Sequence, residues 1–170
     1  YFVIEFSKPF DKFEPIGADC FYYRIHFKTE EGEQIGVKVA LSSTSPAGAE
    51  LNFSTEVKDK DFDTVRKETR AKWQNELRKI RIYGATEEQN EIFYTGMYHM
   101  YVAPSLFSDV DGTYRGADNE IHENPGYHTY TTFSLWDTYR AKLPLMTITH
   151  PELMDDITNT MINICEEQGF

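Results

Sequence analysis

The hydrophobic period of this chain changes once, near residue 60, and that change limits the folds open to it. Before it, apolar residues recur at every second position. Phe21, Tyr23, Ile25 and Phe27 alternate with Tyr22, Arg24, His26 and Lys28, and Ile35, Val37, Val39 and Leu41 alternate with Gly36, Lys38, Ala40 and Ser42. Such alternation belongs to strands with one face on a core. The Glu31-Gly32 turn between the two runs predicts an antiparallel hairpin, and Phe2, Ile4 and Phe6 predict an earlier strand. Three or four strands make only part of two packed sheets, so the β part reads as incomplete toward its N-terminus.

Residues 43–60, rich in Ser, Thr, Pro and Gly, read as a linker ending in a charged segment. Beyond them the period is helical. Asp61 is placed to cap a helix whose stripe is Phe62, Val65, Thr69, Trp73, Leu77 and Ile80, stopping at Gly84. Thr86 and Gln89 form a capping box for a second helix, with Ile92, Phe93, Met97 and Met100 inward and Pro104 as the stop. Asp111-Gly112 marks a hairpin turn, and Tyr127 to Phe133 reads as a returning strand. A third helix starts near Ser134 and meets Pro144, which should end or kink it. A fourth begins near Pro151, buries Met154, Ile157, Met161 and Ile164, and reaches Gly169. No internal repeat or low-complexity tract is visible.

With 170 residues, 40% of them apolar, the chain is large enough to bury a core as one domain or two small ones. Its formal net charge of -11 argues against nucleic acid or an anionic membrane as partner, because phosphates demand positive charge. No apolar run approaches the roughly 20 residues that cross a bilayer. The opening YFVIEFS lacks the features of a signal peptide and does not begin with Met, which predicts an upstream segment. Cys20 and Cys165 form no Cys-x-x-Cys pair and read as two buried free thiols.

The densest block of site-building residue types is YTTFSLWDTYRAKLPLMTITHPE, Tyr130 to Glu152. Trp136, Asp137 and Arg140 offer an indole face, a carboxylate and a guanidinium, a set that can stack on a sugar ring and hold its hydroxyls. A structural account competes: Ser134 and Asp137 have the S-x-x-D form of a capping box, with Trp136 in the core and Arg140 as the i+3 partner. Both can hold, since a capping carboxylate keeps spare lone pairs. Asp109, Asp111 and Gly112 suggest a calcium loop that fails on register. The five histidines lack zinc-site spacing, and no G-x-S-x-G, P-loop or G-x-G-x-x-G motif is present. Among 28 acidic residues no pair stands out as the two carboxylates of a glycosidase.

FSDVDGTYRG (Phe107 to Gly116) and the block from Tyr130 to Glu152 closely resemble the signature blocks of family 92 glycoside hydrolases, calcium-dependent exo-acting α-mannosidases. The resemblance extends back through GATEEQNEIFYTGMYHMYVAPSLFSDV (Gly84 to Val110) and, more loosely, to VRKETRAKWQNELRKI (Val65 to Ile80). It implies a mixed β-then-α architecture: the last strands of an N-terminal β-sandwich (1–42), a linker with a long helix (43–84), and the first helices of an (α/α)6 barrel with a hairpin insertion (85–170, incomplete). It also implies a secreted or periplasmic enzyme that removes terminal α-linked mannose from glycans with inversion. A glutamic acid and an aspartate serve as acid and base, and calcium engages the mannose hydroxyls. All of these come from later barrel segments, so no catalytic or metal-binding residue is assigned here. Trp136 and Asp137 match the family's W-D motif. The resemblance thus implies that Asp137 bonds mannose hydroxyls, with Trp136 beside it and Arg140 orienting; roles for Asp109, Asp111 and Arg115 are weaker. Such a segment alone is expected to be inactive. Three alternatives stand beside this reading: a non-catalytic carbohydrate-binding protein, another (α/α)6 glycosidase of trehalase or glucoamylase type, and a helical interaction module.

Overall fold

The computed structural model describes residues 1–17, 22–131 and 133–169. It holds four two-stranded antiparallel sheets and six helices. β1 (Phe2–Phe6) pairs with β4 (Val37–Leu41), and β2 (Lys12–Ile16) pairs with β3 (Tyr22–His26). The expected hairpin is therefore replaced by two nested pairings. Glu31-Gly32 does turn, with Glu33 N–H bonded to the Glu30 carbonyl at 3.2 Å. But β3 has already turned to β2, where Phe13 stacks on Tyr23 with centroids 4.8 Å apart. The alternation starting at Phe21 falls partly outside the described residues, as does Cys20. Cys165 is exposed, not buried.

The supposed linker contains a helix, α1 (Pro46–Glu56), whose cap is Ser45: its hydroxyl accepts the Gly48 N–H at 2.9 Å. Pro46 at the first helical position lacks only an N–H that would have no intrahelical partner. α1 packs against β1 and β4, with Ala49 and Phe53 buried. It covers the Ala40 face of β4, so the stripe expected on the core (Val37, Val39, Leu41) is the exposed one in this chain.

Asp61 caps α2 (Phe62–Leu77), accepting the Thr64 N–H at 2.7 Å, and the helix ends at Leu77, before Ile80 and Gly84. Thr86 and Gln89 form the full capping box of α3 (Glu87–Tyr101). Met97 is buried there, whereas Ile92 is exposed. The chain then builds two ladders. β5 (Ser105–Leu106) pairs with β8 (Tyr130–Thr131), and β6 (Tyr114–Arg115) pairs with β7 (Ile121–His122). Gly112 adopts φ +88° in the turn at Asp111-Gly112, a backbone region that glycine enters without a Cβ penalty.

The third helix is divided. α4 (Leu135–Thr138) is a single turn, and α5 (Lys142–Thr149) starts afresh with Pro144 in its own first turn. Proline there cannot donate to the Arg140 carbonyl and its ring crowds that group, so the helix breaks ahead of it. α6 (Pro151–Glu167) packs on α5 and buries Ile157 and Thr160, with Met154, Met161 and Ile164 half-buried, much as its period predicts. His150 at the α5–α6 junction is buried; its Nε2 lies 2.6 Å from Glu76 Oε2, fastening this corner to α2. Among the described residues no helix is long and apolar enough to cross a membrane.

Candidate functional site

Trp136, Asp137 and Arg140 stand together on the exposed α4 segment. The Trp136 side chain is 85% exposed, its indole turned away from any core. Asp137 and Ser134 do not form a capping box. The Ser134 hydroxyl donates to Asp137 Oδ2 at 2.6 Å, and no side chain caps the helix. Among the described residues Asp137 accepts no other side-chain bond, so Oδ1 and a lone pair on Oδ2 stand open. Arg140 makes no ion pair with Asp137; its guanidinium lies 5.6 Å from the centroid of the Tyr139 ring. An open carboxylate, a bare indole and a guanidinium on adjacent turns can meet the hydroxyls and the apolar face of a sugar.

The segment's place is set by neighbours that the sequence did not single out. Phe107 N–H donates to the Thr129 carbonyl at 2.9 Å, extending the β5–β8 ladder that leads into α4. On its other side, Lys142 Nζ donates to the Ala103 carbonyl. Burial holds the Lys142 ammonium below the ordinary lysine range. A cavity of about 640 Å³ lies between α2 and the α5–α6 corner, lined by Trp73, Glu76, Tyr101, His128, Tyr130 and His150 among others, and by none of the three candidates.

Asp109 is 5% exposed and lies in the interior rather than at a pocket rim. Its Oδ2 accepts from the Ser42 hydroxyl at 2.7 Å and the Thr44 hydroxyl at 2.6 Å, and its Oδ1 from Asn52 Nδ2 at 2.8 Å. Asp111 folds onto its own turn, accepting from Thr113, which lowers its carboxyl pKa. Arg115 donates from Nε to the Ser43 carbonyl at 2.9 Å and from Nη1 to the Asn119 carbonyl at 2.7 Å. Asp109 and Arg115 therefore tie the hairpin to residues 42–52, while Asp111 serves its own turn and, like Asp137, keeps a carboxylate oxygen free of side-chain bonds among the described residues.

A family model for the glycosyl hydrolase family 92 catalytic domain matches residues 48–170. The chain belongs to glycosyl hydrolase family 92. Solved structures agree. The family GH92 α-mannosidase BT3965 from Bacteroides thetaiotaomicron is 33% identical and superposes with a TM-score of 0.86, over 98% of this chain and 24% of that one. The same protein in complex with mannoimidazole gives the same figures. A second GH92 glycosyl hydrolase, ccman5, is 26% identical at a TM-score of 0.86, over 99% of this chain and 24% of that one. This chain thus spans about a quarter of the length of the solved GH92 structures it matches. No curated protein sequence matches it.

The expected calcium can be tested against the residues present. Among the described residues one group of three metal-type ligands comes together, Asp118, His122 and Glu167, with ligand atoms within 4.8 Å of one another. Calcium takes six to eight oxygen ligands. This group offers an imidazole nitrogen, and its Glu167 carboxylate is already engaged by the Tyr114 hydroxyl at 2.8 Å and the Ala117 N–H at 2.7 Å. His122 stacks on Tyr114 and pairs with Asp118 at 3.1 Å, so the imidazole itself answers the carboxylates. The group does not fit calcium. Burial and the bond to Glu167 together hold the Tyr114 hydroxyl well above the ordinary phenol range.

Proposed function

We propose that this chain is a segment of an α-mannosidase that removes terminal α-linked mannose from glycans with inversion, and that it furnishes part of the sugar-binding wall. Its parts are then the last strands of an N-terminal β-sandwich (1–42), a linker with a long helix (43–84) and the first elements of an (α/α)6 barrel (85–170). Asp137 accepts bonds from mannose hydroxyls, Trp136 lays its indole against the apolar edge of the sugar, and Arg140 orients one or the other. The general acid, the base and the calcium ligands lie outside these residues, and the segment alone turns over no mannoside.

The observation that carries this reading is α4 itself: a carboxylate with open lone pairs beside an indole that is 85% exposed, in a chain of this family. An indole beside unspent carboxylate lone pairs suits the apolar face and the hydroxyls of a sugar. The relatives' names, an α-mannosidase and its mannoimidazole complex, support mannose as the sugar.

The test uses the whole protein that carries these residues. Asp137→Ala removes hydrogen bonds to a charged acceptor worth about 1.5–3 kcal/mol, which is about a 10- to 100-fold loss in kcat/KM on an α-mannoside. The thermal midpoint should stay unchanged, since among the described residues the Asp137 side chain bonds only Ser134. Full activity in that variant, or activity lost together with stability, refutes the assignment.

A further inference from the structure

We infer that Asp109 is a positioning residue for the sugar-binding wall: it holds, through the strand segment 103–107, the turn of helix that carries Trp136 and Asp137. The inference rests on the function proposed above and adds to it the residue that sets the wall's place.

The argument starts from the shape of the hydrogen bonding. All the side-chain groups that face the Asp109 carboxylate are donors, the Ser42 and Thr44 hydroxyls and the Asn52 amide, so an acceptor-only group is what the site demands. These donors belong to the β4–α1 junction, 57 to 67 residues away in sequence. Asn52 closes the junction from its other end: its Nδ2 also donates to the Leu41 carbonyl, and its Oδ1 accepts the Val110 N–H at 2.9 Å. Arg115 adds a bond from the same hairpin to Ser43. Buried and multiply bonded, this contact cannot slide without leaving donors unpaired.

From Asp109 the chain runs back two residues to Phe107 and the β5–β8 ladder, with Leu106 opposite Tyr130 and Ser105 opposite Thr131. Four positions beyond Thr131 lies Leu135, where α4 begins. On the far side of α4, Lys142 is tied to Ala103. α4 is thus held at both ends by one stretch, residues 103–107, and the next side chain of that stretch to be locked into the interior is Asp109. Moving Asp109 moves the stretch, and the stretch carries the wall.

The experiment is a double-mutant cycle in the whole protein, read on an α-mannoside and by hydrogen–deuterium exchange. Thr44→Val removes one donor at nearly constant shape, and Asp109→Ala removes the acceptor. We expect kcat/KM to fall about 3- to 10-fold for the first and on the order of 100-fold for the second, the scale of a misplaced binding group. Asp109→Asn, which keeps one acceptor oxygen, should recover part of the loss. In a Trp136→Ala/Asp137→Ala background the further loss from Thr44→Val should shrink to under about twofold, because the groups it misplaces are gone. Amides at 129–131 and 135–142 should exchange faster in Thr44→Val. Losses that multiply across the cycle, or exchange that quickens only at 42–52 and 109–115, overturn the inference. If Asp109→Ala fails to fold, Thr44→Val decides alone. If the wild-type protein cleaves no α-mannoside, the proposed function falls and the exchange pattern still judges Asp109.

Discussion

Replacing Gly48 by alanine sets two known effects against each other in the first turn of α1. Alanine in place of glycine gains a helix up to about 1 kcal/mol in its interior, and less near an end. Against that, a Cβ on Gly48 would stand 2.4 Å from Asp109 Oδ2, 2.7 Å from Ser42 Oγ and 2.8 Å from Thr44 Oγ1. The two hydroxyls both donate to that carboxylate oxygen in the interior, and none of the three atoms is the loose end of a long side chain. Ordinary separation of about 3.5 Å needs a shift of about 1 Å. That shift stretches the 2.6 Å and 2.7 Å bonds to Asp109 beyond useful length. Overpacking costs about 1–3 kcal/mol and a lost hydrogen bond to a charged group about 1.5–3 kcal/mol. The packing term wins, and the net change is a destabilisation of about 2 kcal/mol. In native-state hydrogen exchange on the whole protein this is about a 30-fold loss of protection for the amides of 49–53. Gly96→Ala is the companion: among the described residues, apart from its chain neighbours and the backbone of its own helix, no heavy atom lies within 4 Å of the Cβ it would add, so α3 should gain up to about 1 kcal/mol. Equal or opposite behaviour of the two variants refutes the packing argument.

Two further outcomes follow from the helical half. Ile157→Ala leaves a cavity at a fully buried position between α5 and α6 and should cost about 2–5 kcal/mol in urea unfolding, with the slope unchanged. For Glu76, burial pushes the carboxyl up, but hydrogen bonds from Lys79 and His150 outweigh it and leave it below the ordinary glutamate range. A lowered folded value means the pair's stability is fully present above the unfolded glutamate pKa of about 4.3 and is lost as pH falls through the folded value. Protection factors at α2 amides, with the intrinsic pH dependence of exchange divided out, should therefore fall on acidification below about pH 4.3 in the wild type, with that acid-linked component absent in Glu76→Gln.

Local signals were legible and long-range ones were not. Asp61, Thr86 and Gln89 announce their helices because a cap bonds a backbone N–H two or three residues on, within reach of a sequence window. Ser45-Pro46 carries the same signal for α1, but the surrounding serines, glycine and proline match a linker equally well, and a local window does not separate the two. Alternation at residues 22–26 and 37–41 gives strands without giving partners: two nested pairings and one hairpin have the same period. Trp136, Asp137 and Arg140 were visible as types, and the structure keeps all three exposed. The S-x-x-D pattern at Ser134 and Asp137 offers a capping box as one account, but it presumes a helix long enough to need a cap, and α4 is a single turn with none. Asp109 was invisible as a hub because its donors lie at residues 42, 44 and 52, and nothing in a local motif points that far.

On the function proposed above, the length of α4 gives such distant residues a route to the sugar. Four residues form about one turn, and nucleating a turn fixes several dihedrals for a single hydrogen bond, so a helix this short does not hold itself together. It has no side-chain cap, buries no residue of its own, and is cut off from α5 by Pro144. Its order must be imposed from outside, and among the described residues the groups placed to impose it are the β8 ladder before it and the Lys142–Ala103 bond after it. Both fasten to residues 103–107, and that stretch is fixed to the β4–α1 junction by Asp109. A wall built on a self-sufficient helix would be indifferent to the junction. One built on a single borrowed turn takes its position from the β part of the chain, so substitutions at 42–52 should alter sugar affinity without any of those residues touching sugar.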